Sequence, residues 1–426
     1  MRRRLVRIIL PVGIVLGLAL LTGCPFLPTP SGTTPPIYRN TTDRTNNGAT
    51  YVGSEACMAC HATFAAKHVL HGHAHKVTEV DEGAPTYPAG ATRAGGFDPP
   101  QGRQWSDVAY VIGGHVRKAR FVDVDGYVMT DGVDGINTQW NLDFPANGTA
   151  AGWVAYEASR DPNDPKPYNY SCFVCHTTGP VESDSTNPAF QDSRPGMSGT
   201  FAEPGIQCEA CHGPGSGHVP APAARDLFVD TQAATCKECH DRPFESDDDV
   251  IRASGGYIKH HEQWPELKAS GGHAAFACTI CHDPHTSTNY DRENAIINEC
   301  VVCHTDTKMA LHANGVFVRG DYTEVMGCES CHMPFASKSA AAATAAVVGA
   351  GGRMGDTRTH VFRINSADEN YTAMFSTDGS EVVTDAQGRA AVTIDFVCLR
   401  CHNGIGNAVE FSLKEAAAIA PSIHSD

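Results

Sequence analysis

Residues 206–218 read Ile-Gln-Cys-Glu-Ala-Cys-His-Gly-Pro-Gly-Ser-Gly-His, and the five residues from Cys208 to His212 decide how the chain must be built. The pattern Cys-x-x-Cys-His occurs eight times. Its members are Cys57, Cys60 and His61; Cys172, Cys175 and His176; Cys208, Cys211 and His212; Cys236, Cys239 and His240; Cys278, Cys281 and His282; Cys300, Cys303 and His304; Cys328, Cys331 and His332; Cys398, Cys401 and His402. Sixteen of the 17 cysteines are used in this way, and the other is Cys24. At this composition chance supplies about 0.03 copies in 426 residues. The chemistry that needs this spacing is covalent attachment of haem c. Two thiols add to the two vinyl groups of the porphyrin, and the next residue, His, sits under the iron as an axial ligand. Structural zinc needs two Cys pairs per metal and leaves the His after each second Cys unexplained. Disulfides from i to i+3 close only tiny loops.

Working outward, six motifs fall within the 161 residues from Cys172 to His332, about 27 residues each. Too little chain remains there for an ordinary side-chain core. The porphyrins must supply much of the apolar interior, and the chain must wrap them as short helices and loops. The expected fold is therefore mostly short α-helices and loops around stacked haems, with small β-hairpins. An ordinary core-packed enzyme is a poor fit to 19% charged residues, 41 Gly and 26 Pro.

Each iron also needs a sixth ligand. Of 21 histidines, thirteen lie outside the motifs, so supply exceeds demand and two-histidine ligation is expected at most or all sites. His218 ends a glycine-rich loop that can aim its ring at a neighbouring haem. His285 sits three residues after His282, and His273 five before Cys278. His261 is expected on a helix through His-Glu-Gln-Trp-Pro-Glu-Leu. From the run His71-Gly-His73-Ala-His75, His73 is the favoured ligand. His360 opens a strand-like stretch, and His424 ends an expected helix over 411–423. His115 and His312 complete nine candidates for eight irons.

The N-terminus sets the compartment. Arg2, Arg3, Arg4 and Arg7 precede an apolar stretch over 5–21 that ends in Leu21-Thr22-Gly23-Cys24. This reads as a signal peptide over 1–23 rather than a membrane-spanning helix. The Leu-Thr-Gly-Cys ending resembles a bacterial lipobox, which implies cleavage before Cys24 and lipidation of that cysteine. The four arginines then leave, and the formal net charge moves from −16 to −20. Residues 24–50, rich in Pro, Thr, Asn and Gly, are expected to form a lipid-anchored flexible linker. Residues 51–426 form the eight-motif domain. Pro25 is not the aspartate that retains enteric lipoproteins in the inner membrane, so an outer-membrane lipoprotein is expected, on the periplasmic or cell-surface side.

Between the first two motifs, 108–112 is a β-like run, and 119–130 reads as a hairpin turning at Asp125-Gly126. A second β-like region spans 361–394. The small-residue stretch 340–352 reads as a loop or weak helix.

The segments Tyr51-Val-Gly-Ser-Glu-Ala-Cys-Met-Ala-Cys-His, the 206–218 stretch and Cys328-Glu-Ser-Cys-His-Met-Pro resemble the multihaem cytochromes c, among them the tetrahaem cytochromes of nitrifiers and octahaem outer-membrane cytochromes of metal reducers. The resemblance covers nearly all of the chain after the leader and implies close haem stacking, two-histidine ligation and electron transfer. Its implied partners are other cytochromes or redox proteins, a porin–cytochrome conduit or an extracellular acceptor, with the membrane reached through the lipid. At this acidic charge no nucleic-acid partner is expected. Two alternatives stand beside the carrier. One is a multihaem reductase of small nitrogen or sulfur substrates with one open haem. Such families often mark the open iron with Lys in place of the motif His, whereas all eight motifs here carry His. The other is a filament-forming cytochrome.

Overall fold

The computed structural model describes residues 37–424 apart from 41, 82, 187, 243–248, 308–311 and 313–314. The leader, Cys24 and most of the expected linker lie outside the described residues. Among those described, no α-helix exceeds seven residues, and no helix is long and apolar enough to cross a membrane. Helices this short are not stable alone in water, so packing must hold them.

The motifs explain their own local structure. Each is a single helical turn, closed by a bond from the motif His N–H to the carbonyl of the first Cys, as at His61 to Cys57 (2.9 Å), His282 to Cys278 (3.0 Å) and His402 to Cys398 (2.9 Å). That turn puts positions i, i+3 and i+4 on one side, so both thiols and the imidazole face the same space. Helices Tyr170–His176, Cys208–His212, Ala234–His240 and Cys328–His332 are four such turns.

The sheet between the first two motifs is larger than the small hairpins expected. Its seven strands are β1 (Val77–Glu79), β2 (Val108–Gly113), β3 (Lys118–Asp123), β4 (Tyr127–Val128), β5 (Gln139–Asn141), β6 (Gly152–Val154) and β7 (Lys166–Pro167). They pair in the order β1-β2-β3-β4-β7, with β5 joined to β3 and β6 to β5, all antiparallel. The turn from β3 to β4 falls at Asp125-Gly126, with Gly126 at φ 90°, where a Cβ would meet the Met197 side chain at 2.5 Å.

Both faces of this sheet are covered, which is why β2 reads as a near-continuous apolar run. On one face Val77, Tyr110, Val122 and Val128 pack against Tyr168 and Phe173, the latter from the helix that ends in His176. On the other, Val111, Ala119, Phe121 and Met129 pack against Phe97. A third core in the C-terminal half gathers Ile251, Ile258, Val361, Val392 and Phe396.

Elsewhere the β-like region 361–394 forms only two short parallel strands, Ile364–Asn365 with Val392–Thr393, and a bridge from Phe375 to Val382. Residues Ala345–Val348 are helical. The C-terminal helix runs from Leu413 to Ile419, with the Ser412 hydroxyl and Glu415 carboxylate capping its start reciprocally. His261 is not on a helix. It precedes Gln263–Lys268, at a left-handed φ of 70°. The end of the expected linker is pinned to the body. Asn46 is 7% exposed, donates to the carbonyls of His212 and Pro214, both at 2.9 Å, and accepts from Phe228 N–H.

Candidate functional site

Two imidazoles on opposite faces of one iron have ring centres about 6 Å apart, because each metal–nitrogen bond is about 2 Å and each nitrogen lies about 1 Å from its ring centre. Seven of the eight motif histidines meet a non-motif histidine at that separation. The pairs are His61 with His218 (6.3 Å), His212 with His285 (6.1 Å), His282 with His360 (6.1 Å), His304 with His273 (5.9 Å), His332 with His424 (5.9 Å) and His402 with His312 (6.0 Å). His240 meets two, His73 at 6.1 Å and His261 at 5.7 Å. Among the described residues, no ring contact pairs His176 with another histidine.

Ring nitrogens sharpen this reading. The Nδ1 atoms of His212, His332 and His402 are hydrogen-bonded to the carbonyls of Phe228 (3.0 Å), Phe362 (2.8 Å) and Val409 (2.6 Å). His240 Nδ1 meets Gln263 Oε1 at 2.9 Å, and His218 Nδ1 the Arg225 carbonyl at 2.6 Å. A ring that donates from Nδ1 keeps a lone pair on Nε2, the nitrogen free to ligate. His285 is held similarly, its Nδ1 3.1 Å from Asp283 Oδ1.

The same test separates the run His68–His75. His68 and His71 also stand 6.3 Å apart, yet neither belongs to a motif. His68 Nε2 is engaged by Gln207 Oε1 at 3.2 Å, His75 Nε2 by the Val69 carbonyl at 2.9 Å, and His71 Nδ1 accepts from His73 N–H at 3.1 Å. His73 is the member of the run that faces a motif histidine. His115 does not face one. It stacks on His75 at 4.3 Å, and both its ring nitrogens are buried without a hydrogen-bond partner.

Motif thiols order the sites in space. The Cys57 thiol lies beside that of Cys208, Cys175 beside Cys239, and Cys236 beside Cys278. Cys211 and Cys236, Cys281 and Cys303, Cys300 and Cys328, and Cys331 and Cys398 lie within electrostatic reach of one another. The first motif therefore adjoins the third, and the third the fourth. The fourth to eighth then follow in sequence order, and the second branches off at the fourth. Buried side chains tie the neighbours together. Glu209, inside the third motif, accepts from the N–H groups of Val52 and Gly53 at the entrance to the first and from that of Gly215 just after its own. Arg400, inside the eighth, makes a two-pronged contact with Glu324 (2.7 and 3.0 Å) and donates to the Ser330 carbonyl of the seventh.

Fifteen of the motif cysteines carry free thiols. Thiols and imidazoles thus converge as haem c requires, with His176 the exception on its far side. Its Nδ1 lies 3.1 Å from the Tyr168 hydroxyl. Burial, and then the charges of Lys76, Arg120 and Lys118, hold its imidazole down to about 3. Sequence reasoning missed these three cations. Their trace was Lys118-x-Arg120 alternating within an otherwise apolar strand.

Residues 150–213, which carry the second and third motifs, match the family model "Cytochrome c554 and c-prime". The chain is 26% identical over 182 residues to the multiheme cytochrome MtrA of Shewanella baltica, covering 39% of this chain and 46% of that protein, so it spans about half the length of that relative. Its fold resembles the octaheme sulfite reductase MccA of Wolinella succinogenes, with a TM-score of 0.53 at 16% identity over 91% of this chain and 72% of the other. In these matches the chain is similar to multihaem c-type cytochromes.

Proposed function

We propose that the protein carries electrons along a chain of eight covalently attached c-type haems. Seven would have two histidine ligands: His61/His218, His212/His285, His240/His73, His282/His360, His304/His273, His332/His424 and His402/His312. The observation that carries this reading is the recurrence of one ring separation at seven motif histidines whose partners come from distant stretches of chain. Adjacency of the motif thiols supports a continuous path, since close haems exchange electrons without any substrate chemistry by the chain. The chain's own part is to hold the rings, fix their tautomers and exclude water, which together tune potential. Intact-mass measurement of protein made with a haem c maturation system tests the count. Eight haems per chain are expected, and a smaller number contradicts the proposal.

The leader supports a lipoprotein anchored at Cys24 in the outer membrane. Partners would be other redox proteins, a porin–cytochrome conduit or an extracellular acceptor. A second reading is favoured by one observation, that among the described residues no ring contact pairs His176 with another histidine. The haem there would keep an open coordination position, at the end of a branch that electrons reach through the fourth motif. A reductase of a small substrate would need this arrangement, and the fold neighbour MccA is a sulfite reductase by name.

A further inference from the structure

We infer that the outer face of the sixth motif, with the stretch leading into it, is a docking surface for a redox protein whose own rim is basic. The inference rests on the electron-carrier reading above and adds where a partner sits and what surface it presents.

The motif turn itself defines this face. Both thiols and the imidazole turn towards the porphyrin, so the two residues between the cysteines point away from it, and their exposure does not depend on whether haem is bound. At most other motifs one or both of these residues are buried or charged. Phe173, Glu209, Ser330, Leu399 and Arg400 are buried, and Lys237 and Glu238 are charged. At the sixth they are Val301 and Val302, 61% and 59% exposed. Ile280, from the fifth motif, and Ile297 are exposed beside them. The backbone brings the four together. Ile297 N–H donates to the Cys281 carbonyl at 2.9 Å, the Asn298 amide to that of Ile280 at 2.6 Å, and Val302 N–H to that of Glu299 at 3.0 Å. Seven of the 18 exposed large apolar side chains among the described residues fall within 280–325, about a tenth of the chain. Such clustering, unlike scattered single side chains, marks an interaction surface.

The surface lies over the electron path, and its rim selects the partner. The sixth site sits between the fifth and the seventh, through Cys281 with Cys303 and Cys300 with Cys328, and Cys303 is itself exposed. A thioether at Cys303 puts a porphyrin edge directly beneath the turn, so a partner seated on Val301 and Val302 is one turn of chain away from it. One electron crosses at a time, one cofactor being oxidised as the other is reduced, and no bond is made or broken. Around the apolar centre Glu293, Glu299 and Asp306 are exposed, with Glu329 of the seventh motif behind them. Arg292 is shared between Glu299 at 3.0 Å and Glu329 at 3.2 Å, while Glu293 and Asp306 form no ion pair with a described residue. An apolar centre inside an acidic rim fits an apolar centre inside a basic one. A second copy of this chain fits poorly, because a two-fold contact sets the same acids opposite one another. The formal net charge of −16 draws the same basic partner from further away.

The test uses the full-length, haem-loaded protein in two arms. Calorimetric titration with mitochondrial cytochrome c, a lysine-rimmed redox protein, is run with both proteins oxidised at low ionic strength, so that it reads docking without electron flow. Oxidation of the reduced protein by ferricyanide counts electrons and needs no docking. Glu293→Lys, Glu299→Lys and Asp306→Lys together reverse the rim. Asp161→Lys, Asp164→Lys and Glu182→Lys make the same change in net charge at exposed positions elsewhere. Val301→Ser with Val302→Ser removes the apolar centre. The expected result is binding by wild type that weakens with salt, a Kd raised about tenfold by the rim reversal and by the serine pair, and a change of about twofold or less from the reversal elsewhere. All variants should return eight electrons per chain to ferricyanide. Absence of binding by wild type, or equal weakening by the two charge reversals, with eight electrons recovered would overturn the docking surface and leave the carrier reading standing. A yield well short of eight in wild type would overturn both. Should the serine pair lose the sixth haem by intact mass, the two charge reversals decide.

Discussion

The rings of His212 and His285 lie 6.1 Å apart and within 6° of parallel, although one belongs to the third motif and the other follows the fifth. Asp283 holds the second ring in place. Its carboxylate is 3.1 Å from His285 Nδ1 and also meets Lys67 at 2.9 Å, so three stretches of chain converge on one site. If both rings ligate one iron, His285→Ala removes a sixth ligand. The expected outcome is one haem equivalent of high-spin ferric signal beyond that of wild type, with the haem still attached. An unchanged spin state would move the ligand elsewhere.

Asp283→Asn probes the same site more gently. A carboxylate next to Nδ1–H makes the imidazole a stronger donor and favours ferric iron. Its replacement by an amide is expected to raise the potential of one haem and leave the others in place. Potentiometric titration followed by visible spectroscopy checks this.

Glu324 and Arg400 form a buried ion pair that joins the last two motifs. Their side chains are 6% and 1% exposed, and Arg358 and the Ser330 hydroxyl add contacts at 3.3 and 2.8 Å. Glu324→Ala leaves Arg400 buried and unpaired, and is expected to cost about 3–5 kcal/mol in chemical denaturation. Burial alone would raise the Glu324 pKa, but Arg400 and its neighbours win and bring it down to about 2 from 4.5. A depressed folded pKa gives stability that is complete above about 4.5 and lost as the pH falls towards 2. Acid unfolding of wild type should therefore show a component over that interval that Glu324→Gln lacks.

How much of this was legible beforehand follows from the residues themselves. Cys-x-x-Cys-His needs only one helical turn, a local property, so every motif could be read from sequence. His218 was legible because a short glycine-rich loop carries it next to its own motif. The other partners were not, because pairs such as His402 with His312 or His332 with His424 are set by how distant segments pack. The choice of His73 within its run turns on which ring nitrogens the Val69 carbonyl and Gln207 already occupy, and spacing carries no trace of that. His115 attracted attention as a spare histidine but stacks on His75 instead. The seven-stranded sheet was underestimated because β5, β6 and β7 are two or three residues long and paired through the fold, without a strong alternating pattern. Lys118 and Arg120 were visible as charges, but only the register shows that they share a face with the segment carrying His176.

Anchoring is tested separately. Cys24→Ala is expected to move the protein from the membrane to the soluble fraction with its haem spectrum intact. Retention in the membrane would count against lipidation at Cys24 and leave a plain secretory leader as the reading of 1–23.

The central claim is that seven irons have two histidine ligands and the one at His176 does not. Near-infrared magnetic circular dichroism of the fully oxidised protein, scaled to total haem, measures this directly, because the ligand-to-metal band of two-histidine haem is diagnostic and additive. The account predicts an intensity of seven equivalents per chain with a high-spin contribution from one. Six or fewer two-histidine equivalents would contradict the pairing, and a full eight would contradict the open position at His176.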